Sequence, residues 1–304
     1  MEELVKECYG FRVVCSVHPE ARDVVEAFFG TGEPPRSTQE VRLAFDVADG
    51  AGVPSENPPH TLEVIASNPI TIDTGNSRAV IVPDEWSATI TLARGDLADQ
   101  IVWGRWILER LFLYLVCRSP RHYPLHAGAV GVDGRTVLLS APTGTGKSTF
   151  TFWCLHRGAA LFGEDIMVRH MDDPSRTAWG YSEVVYLDEE TIARAGLVGA
   201  DVSAVAPGEK ARVRLPESFR ERLHTKASLD AAVFLVRDGS TGTRELSVDE
   251  AVKRCWDDIT TGKTDQAVLD SVDADLRLLF DGLPLQEFSL NGDLDECFEA
   301  FTSR

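Results

Sequence analysis

The stretch TVLLSAPTGTGKST, residues 136–149, decides how the rest of the chain is read. A β-branched and leucine run ends at Ser140, and a helix free of Gly and Pro is expected from Lys147 to Arg157, with Gly158 as its C-terminal cap. Between them lies Ala141-Pro142-Thr143-Gly144-Thr145-Gly146-Lys147-Ser148. Seven of its eight positions fit the P-loop (Walker A) pattern GxxxxGK[ST], with Ala141 in place of the first glycine. Gly144 and Gly146 allow the backbone to curl until successive N–H groups face one phosphate. Lys147 supplies a point charge to the terminal phosphates, and the Ser148 hydroxyl suits Mg²⁺. The helix start adds the positive end of its dipole. The expected ATP contacts are Pro142, Thr143, Gly144, Thr145, Gly146, Lys147, Ser148 and Thr149, although Pro142 has no N–H to give. The bland alternative is a Gly-rich loop without a ligand.

Outward from the loop, AGAVGVDGRTVLLS reads as two strands joined by Asp133-Gly134, a strong short-range hairpin signal. His126 precedes the hairpin in LHAG; alone, such a histidine is more often a satisfied core or loop residue. On the other side, a short strand at Ala159–Phe162 leads to GEDI. Glu164 and Asp165 there lie 17 and 18 residues after Lys147. Adjacent acids after a buried strand are costly unless water or a cation meets them. Asp165 is expected to hold Mg²⁺ with Ser148, and Glu164 to accept the proton of an attacking hydroxyl. A solvated turn carrying two charges is the alternative. Farther on, Lys210, Arg212 and Arg214 alternate in GEKARVRL, so a strand there aims all three to one face, toward phosphates or toward solvent.

Together these residues resemble the catalytic domain of HPr kinase/phosphorylase and related kinases, a fold also similar to the nucleotide-binding part of phosphoenolpyruvate carboxykinase. In that family a His-Gly pair opens a β-hairpin and the P-loop follows 15 residues later; here His126 precedes Ala141 by 15. The family helix ends in Arg-Gly, and an Asp-Asp pair follows the lysine by 17 and 18; here Arg157-Gly158 and Glu164-Asp165 take those places. The likeness covers about residues 123–170 firmly and 171–304 loosely. Three departures stand out: Glu164 replaces the first Asp, Ala127 separates His126 from Gly128, and Ala141 replaces a glycine. Glu183 is the stand-in for the family's later acidic metal ligand. The first 120 residues do not resemble the N-terminal domain of HPr kinase.

The chain has 304 residues, 43% hydrophobic and 26% charged, enough for a sizeable core and for two domains or one large one. Its net charge of −18 repels phosphate backbones and anionic membrane surfaces, so neither nucleic acid nor membrane is an expected partner. Cys8, Cys15, Cys117, Cys154, Cys255 and Cys297 form no CxxC pair, which suits thiols in a reducing compartment. The acidic start MEELVKECYG has no secretory apolar run, so a cytoplasmic location is expected. Ile101–Cys117 is interrupted by Arg105, Glu109 and Arg110 and falls short of the roughly 18–20 apolar residues of a membrane span.

Strands are expected at Phe11–Ser16, Val41–Val47, Thr61–Ala66, Ala79–Val82 and Ser87–Leu92, and a helix at Glu20–Phe29. Loops are expected over 31–40 and 51–60, and one long helix over Asp96–Cys117. The expected architecture is α/β (α+β): a mixed-sheet P-loop catalytic domain at 121–304, and a smaller β-rich region at 1–120 that docks substrate. The resemblance implies an ATP- and Mg²⁺-dependent kinase, with Lys147, Glu164 and His126 catalytic and a hydroxyl-bearing acceptor. A Ser or Thr of a peptide or protein comes first, such as a ribosomal natural-product precursor. A free amino acid or other metabolite is the alternative, and a non-catalytic ATP-binding sensor or scaffold is the third reading. Homo-oligomerisation is left open by the hexameric habit of HPr kinases.

Overall fold

The computed structural model describes residues 1–29, 39–49, 63–65, 68–197, 201–203, 210–237, 242–259, 265–291 and 293–303. The loop expected over 51–60, most of the loop over 31–40, and all but Glu63–Ile65 of the strand expected at Thr61–Ala66 lie outside these residues. The molecule is a mixed α/β protein with several sheets. It divides into two compact units: Met1–Ser119 with Val202–Arg212, and Pro120–Asp201 with Val213–Arg304.

The first unit is built on a seven-stranded sheet, in the order Glu2–Cys8, Phe11–Val17, Glu40–Ala48, Ser87–Ala93, Arg78–Val82, Ile70–Asp73, Glu63–Ile65. Period-two alternation sets its two faces. Phe11, Val13, Cys15 and Val17 are buried, and their neighbours Arg12, Val14 and Ser16 are half-exposed. The strands at Phe11–Val17 and Glu40–Ala48 run parallel, as the helix Arg22–Phe29 between them requires. On the buried side Phe28 stacks on Phe112, with ring centroids 6.5 Å apart. The helix expected from Asp96 starts later. Arg94–Asp96 is a 3₁₀ turn in which buried Asp96 accepts the Ser77 hydroxyl. A π-helical stretch, Val102–Glu109, then leads into the α-helix Arg110–Arg118. Among the described residues no helix is long and apolar enough to cross a membrane.

The second unit contains a six-stranded sheet in the order Ala160–Gly163, Ala127–Val132, Arg135–Ser140, Ala231–Val236, Leu285–Ser289, Thr243–Glu245. The expected hairpin forms, with Asp133 and Gly134 both at positive φ. On its other side, Arg135–Ser140 runs parallel to Ala231–Val236, which in turn runs parallel to Leu285–Ser289. The helix Lys147–His156 forms where expected and is buried nearly all round. It packs with Leu294–Thr302, Phe150 lying 6.0 Å from Phe288 and 5.5 Å from Phe301. The helices Val248–Ile259 and Gln266–Phe280 contribute Ala251, Val252, Leu276 and Phe280 to the core with Leu138, Ala232 and Phe234 of the sheet. All six cysteines are buried free thiols.

An antiparallel sheet of four short strands, Lys226–Ser228, Thr177–Gly180, Met167–His170 and His122–Leu125, completes this unit. It is pinned to the helix Gln266–Phe280 by a buried ion pair. Arg169 donates from Nε and Nη2 to the two carboxylate oxygens of Asp275, each at 3.0 Å, and Tyr123 donates its hydroxyl to Asp275 at 2.8 Å. Arg169 is 3% exposed and Asp275 9%. Burial, with Asp275 alongside, pushes the Tyr123 phenol well above its usual range. Removing one member of a buried pair strands the other charge. Asp275→Ala is therefore expected to lower stability by about 3–5 kcal/mol, read by urea unfolding; a loss under about 1 kcal/mol would assign the network no structural role.

Candidate functional site

The loop 141–146 leaves the end of Arg135–Ser140 and enters the helix at Lys147. Gly144 and Gly146 have φ of 84° and 104°, the left-handed region that glycine adopts without strain. Thr145 donates its N–H to the Pro142 carbonyl at 3.2 Å, and Phe150 makes the first helical bond, to Gly146, at 2.9 Å. The first N–H groups of a helix have no partner within it. Those of Lys147 and Ser148 stand directly after the two glycines. Pro142, Thr143 and Gly144 are exposed, whereas the side chains of Lys147 and Ser148 are buried.

Lys147 is the hub. Its ammonium donates to Asp165 Oδ1 at 2.6 Å, to the Glu164 carbonyl at 3.1 Å and to the Asp165 carbonyl at 3.4 Å. Asp165 Oδ1 also lies 3.2 Å from His126 Nε2. Sequence-distant residues thus meet around one carboxylate oxygen. The turn that carries the acids is held close by Gly128. A Cβ there would stand 2.9 Å from the Glu164 carbonyl oxygen and 2.9 Å from Thr151 Oγ1. Only glycine lets the hairpin strand approach so closely. The Ser140 hydroxyl, 3.5 Å from the His126 carbonyl, links His126 back to the loop strand.

The two acids differ in exposure. Glu164 is 3% exposed, with its carboxylate turned inward, whereas the Asp165 side chain is 49% exposed. The accessible carboxylate beside Lys147 and His126 is therefore Asp165. Burial pushes its carboxyl up, but His126 and Lys147 outweigh this and hold it well below the usual carboxylate range.

Other expected residues lie elsewhere. Lys210 is exposed and Arg214 half-buried, but Arg212 is 1% exposed, so the three do not share one open face. Arg212 belongs to the first unit, where Nη1 donates to Gln100 at 2.8 Å and the guanidinium lies over Trp103 at 5.5 Å. A Cβ on Gly104 would stand 3.2 Å from its Nε, so that glycine makes room for it. Glu183 is half-buried, and its backbone carbonyl accepts the Leu215 N–H at 3.1 Å. No hydrogen bond joins Glu183 to Lys147, His126 or Asp165.

One residue near the loop escaped the sequence reading. Arg237 follows the strand Ala231–Val236, and its Nη2 lies 3.5 Å from where a Cβ of Gly146 would stand. Its only sequence signal is a cation after an apolar strand, which acquires meaning once that strand is known to lie beside the loop strand. The described residues include no group of three or more His, Cys, Asp or Glu able to hold a metal by themselves.

No family model matches the chain, and no curated protein matches it. Among solved structures, the HPr(Ser) kinase/phosphatase from Coxiella burnetii is similar over 60% of this chain and 93% of that chain, at 11% identity and a TM-score of 0.31. A likeness at that level assigns neither fold nor activity.

The Asp165 pair has a defined pH signature. Its carboxyl is depressed in the folded state, so its stabilisation is complete above the unfolded value near 3.9 and is lost as pH falls toward the lower folded value. Because Asp165 is half exposed, the expected gain over Asp165→Asn is only about 1–2 kcal/mol. Urea unfolding should show that difference constant from about pH 8 to pH 5 and shrinking below about pH 4. A difference that closes near neutrality would contradict the pairing.

Proposed function

We propose that the protein is an ATP-dependent phosphotransferase that acts on a hydroxyl acceptor. The reading is carried by one observation: a glycine-turned loop at a helix start whose lysine meets, at 2.6 Å, an accessible carboxylate that also meets a histidine. Loop amides and Lys147 suit the phosphates of ATP. Mg²⁺ keeps much of its water and takes few protein ligands, so Ser148 and Asp165 suffice to hold it with phosphate oxygens. Bound there, it would neutralise charge on the transferring group.

Asp165 and His126 supply the proton chemistry. With Nε2–H donated to Asp165, Nδ1 is the basic nitrogen of the ring, suited to accept a hydroxyl proton. Glu164, expected to be the base, is buried, and its backbone carbonyl instead helps seat Lys147. We place a Ser or Thr of a peptide or protein first as acceptor. The first unit supports this: among the described residues Glu2–Cys8 is an edge strand, paired on one side only, of the kind that accepts an added strand. A small-metabolite acceptor is distinguished by experiment.

The test is transfer from γ-labelled ATP with Mg²⁺ into extract of the source organism, separated into macromolecular and small-molecule fractions. Lys147→Ala should lower incorporation by at least about 100-fold; unchanged incorporation would overturn the assignment. His126→Asn should lower turnover about 100-fold with ATP affinity kept. If Glu164→Gln does so and His126→Asn does not, the base is Glu164. Label in the macromolecular fraction supports the peptide or protein acceptor, and label confined to small molecules replaces it with a metabolite. ATP binding without transfer to either fraction favours a sensor.

A further inference from the structure

Two parallel neighbours of the sheet end at the same edge as the P-loop strand. Arg135–Ser140 runs into the loop, Ala231–Val236 into Arg237, and Leu285–Ser289 into Leu290. Arg237 and Leu290 both reach Gly146: Nη2 of Arg237 lies 3.5 Å and Cδ1 of Leu290 3.7 Å from the position its Cβ would take. Ligands in open α/β sheets collect beyond the carboxyl ends of parallel strands.

Charge separates Arg237 from Lys147. Lys147 is already matched by the Asp165 carboxylate at 2.6 Å. Arg237 is exposed, and among the described residues it makes no hydrogen bond or ion pair. The chain as a whole carries −18, so its long-range field opposes a polyphosphate. Retention of such an anion then rests on local donors. A planar guanidinium presents a fork of N–H groups that fits phosphate oxygens. Held beside Gly146, it faces the segment whose amides would hold the same group.

We propose that Arg237 is a second cation of the phosphate site, which binds the polyphosphate end of the nucleotide directly and sets the preference for ATP over AMP. The inference rests on the phosphotransferase reading for the nucleotide, but only on the loop geometry for the polyphosphate. Arg237 leaves the adenosine moiety to other residues, and it is exposed, so its removal does not disturb the core.

Binding of ATP, AMP and inorganic tripolyphosphate is measured by calorimetry on the full chain, without turnover. Arg237→Ala should weaken ATP and tripolyphosphate about 10- to 100-fold and leave AMP within about threefold. Arg237→Lys should recover part of the loss. Arg135→Ala is the charge control, since this exposed arginine sits at the start of the loop strand and changes net charge equally. It should leave all three affinities unchanged. Equal polyphosphate binding by wild type and Arg237→Ala, or an equal loss in Arg135→Ala, would overturn the proposal. Binding of tripolyphosphate but not ATP by the wild type would sink the ATP reading, while the Arg237 variants still decide the cation's role. Binding of neither would remove both.

Discussion

The buried ammonium of Lys147 sets the terms for the second unit's strand ends. A cation that is 5% exposed is costly unless its donors are met. Three oxygens of the Glu164-Asp165 turn meet them, two from backbone and one from a carboxylate. Those oxygens arrive because Ala160–Gly163 pairs with Ala127–Val132, which pairs in turn with the loop strand. Gly128 lets the middle strand of this trio press on the turn. The sheet order, the glycine and the acid pair therefore answer one electrostatic demand.

The same demand explains why the acids divide their roles. One backbone turn cannot point two adjacent side chains at one ammonium. Asp165 points outward to Lys147 and His126; Glu164 contributes its carbonyl and turns its side chain inward. Within the network, the accessible group is thus the shorter acid. A ligand phosphate arriving at the loop would compete with Asp165 for Lys147, since both are anions and the lysine has three protons to share.

Much of this was legible because the decisive residues are local. The hairpin, the loop, the helix and the acid turn occupy 127–165 without a break, and turn chemistry at Asp133-Gly134 and periodicity on either side mark their limits. What sequence hid is non-local. The strands Met167–His170 and Thr177–Gly180 are four residues each and gain their place from Asp275, about a hundred residues away. Arg212 looked like one of three surface cations, yet it is buried against Gly104 and Trp103, contacts that no spacing reveals. Glu2–Cys8 alternates too weakly to read as a strand, since its burial is only partial as an edge.

The two ends of the parallel strands have separate characters. At their start, Val132, Val137, Ala231, Val233, Pro284 and Phe288 line a cavity of about 200 Å³, largely apolar. At their finish stand the loop, Arg237 and the acid turn with its histidine. Among the described residues that line the apolar end there is neither a glycine nor a helix start. Arg135 stands at the starting edge as well, but Lys147, Arg237 and the helix amides that follow Gly146 gather at the other, where the strand ends converge. For an anionic ligand this difference in chemistry decides, because a phosphate leaves water only for donors and cations that replace its hydration.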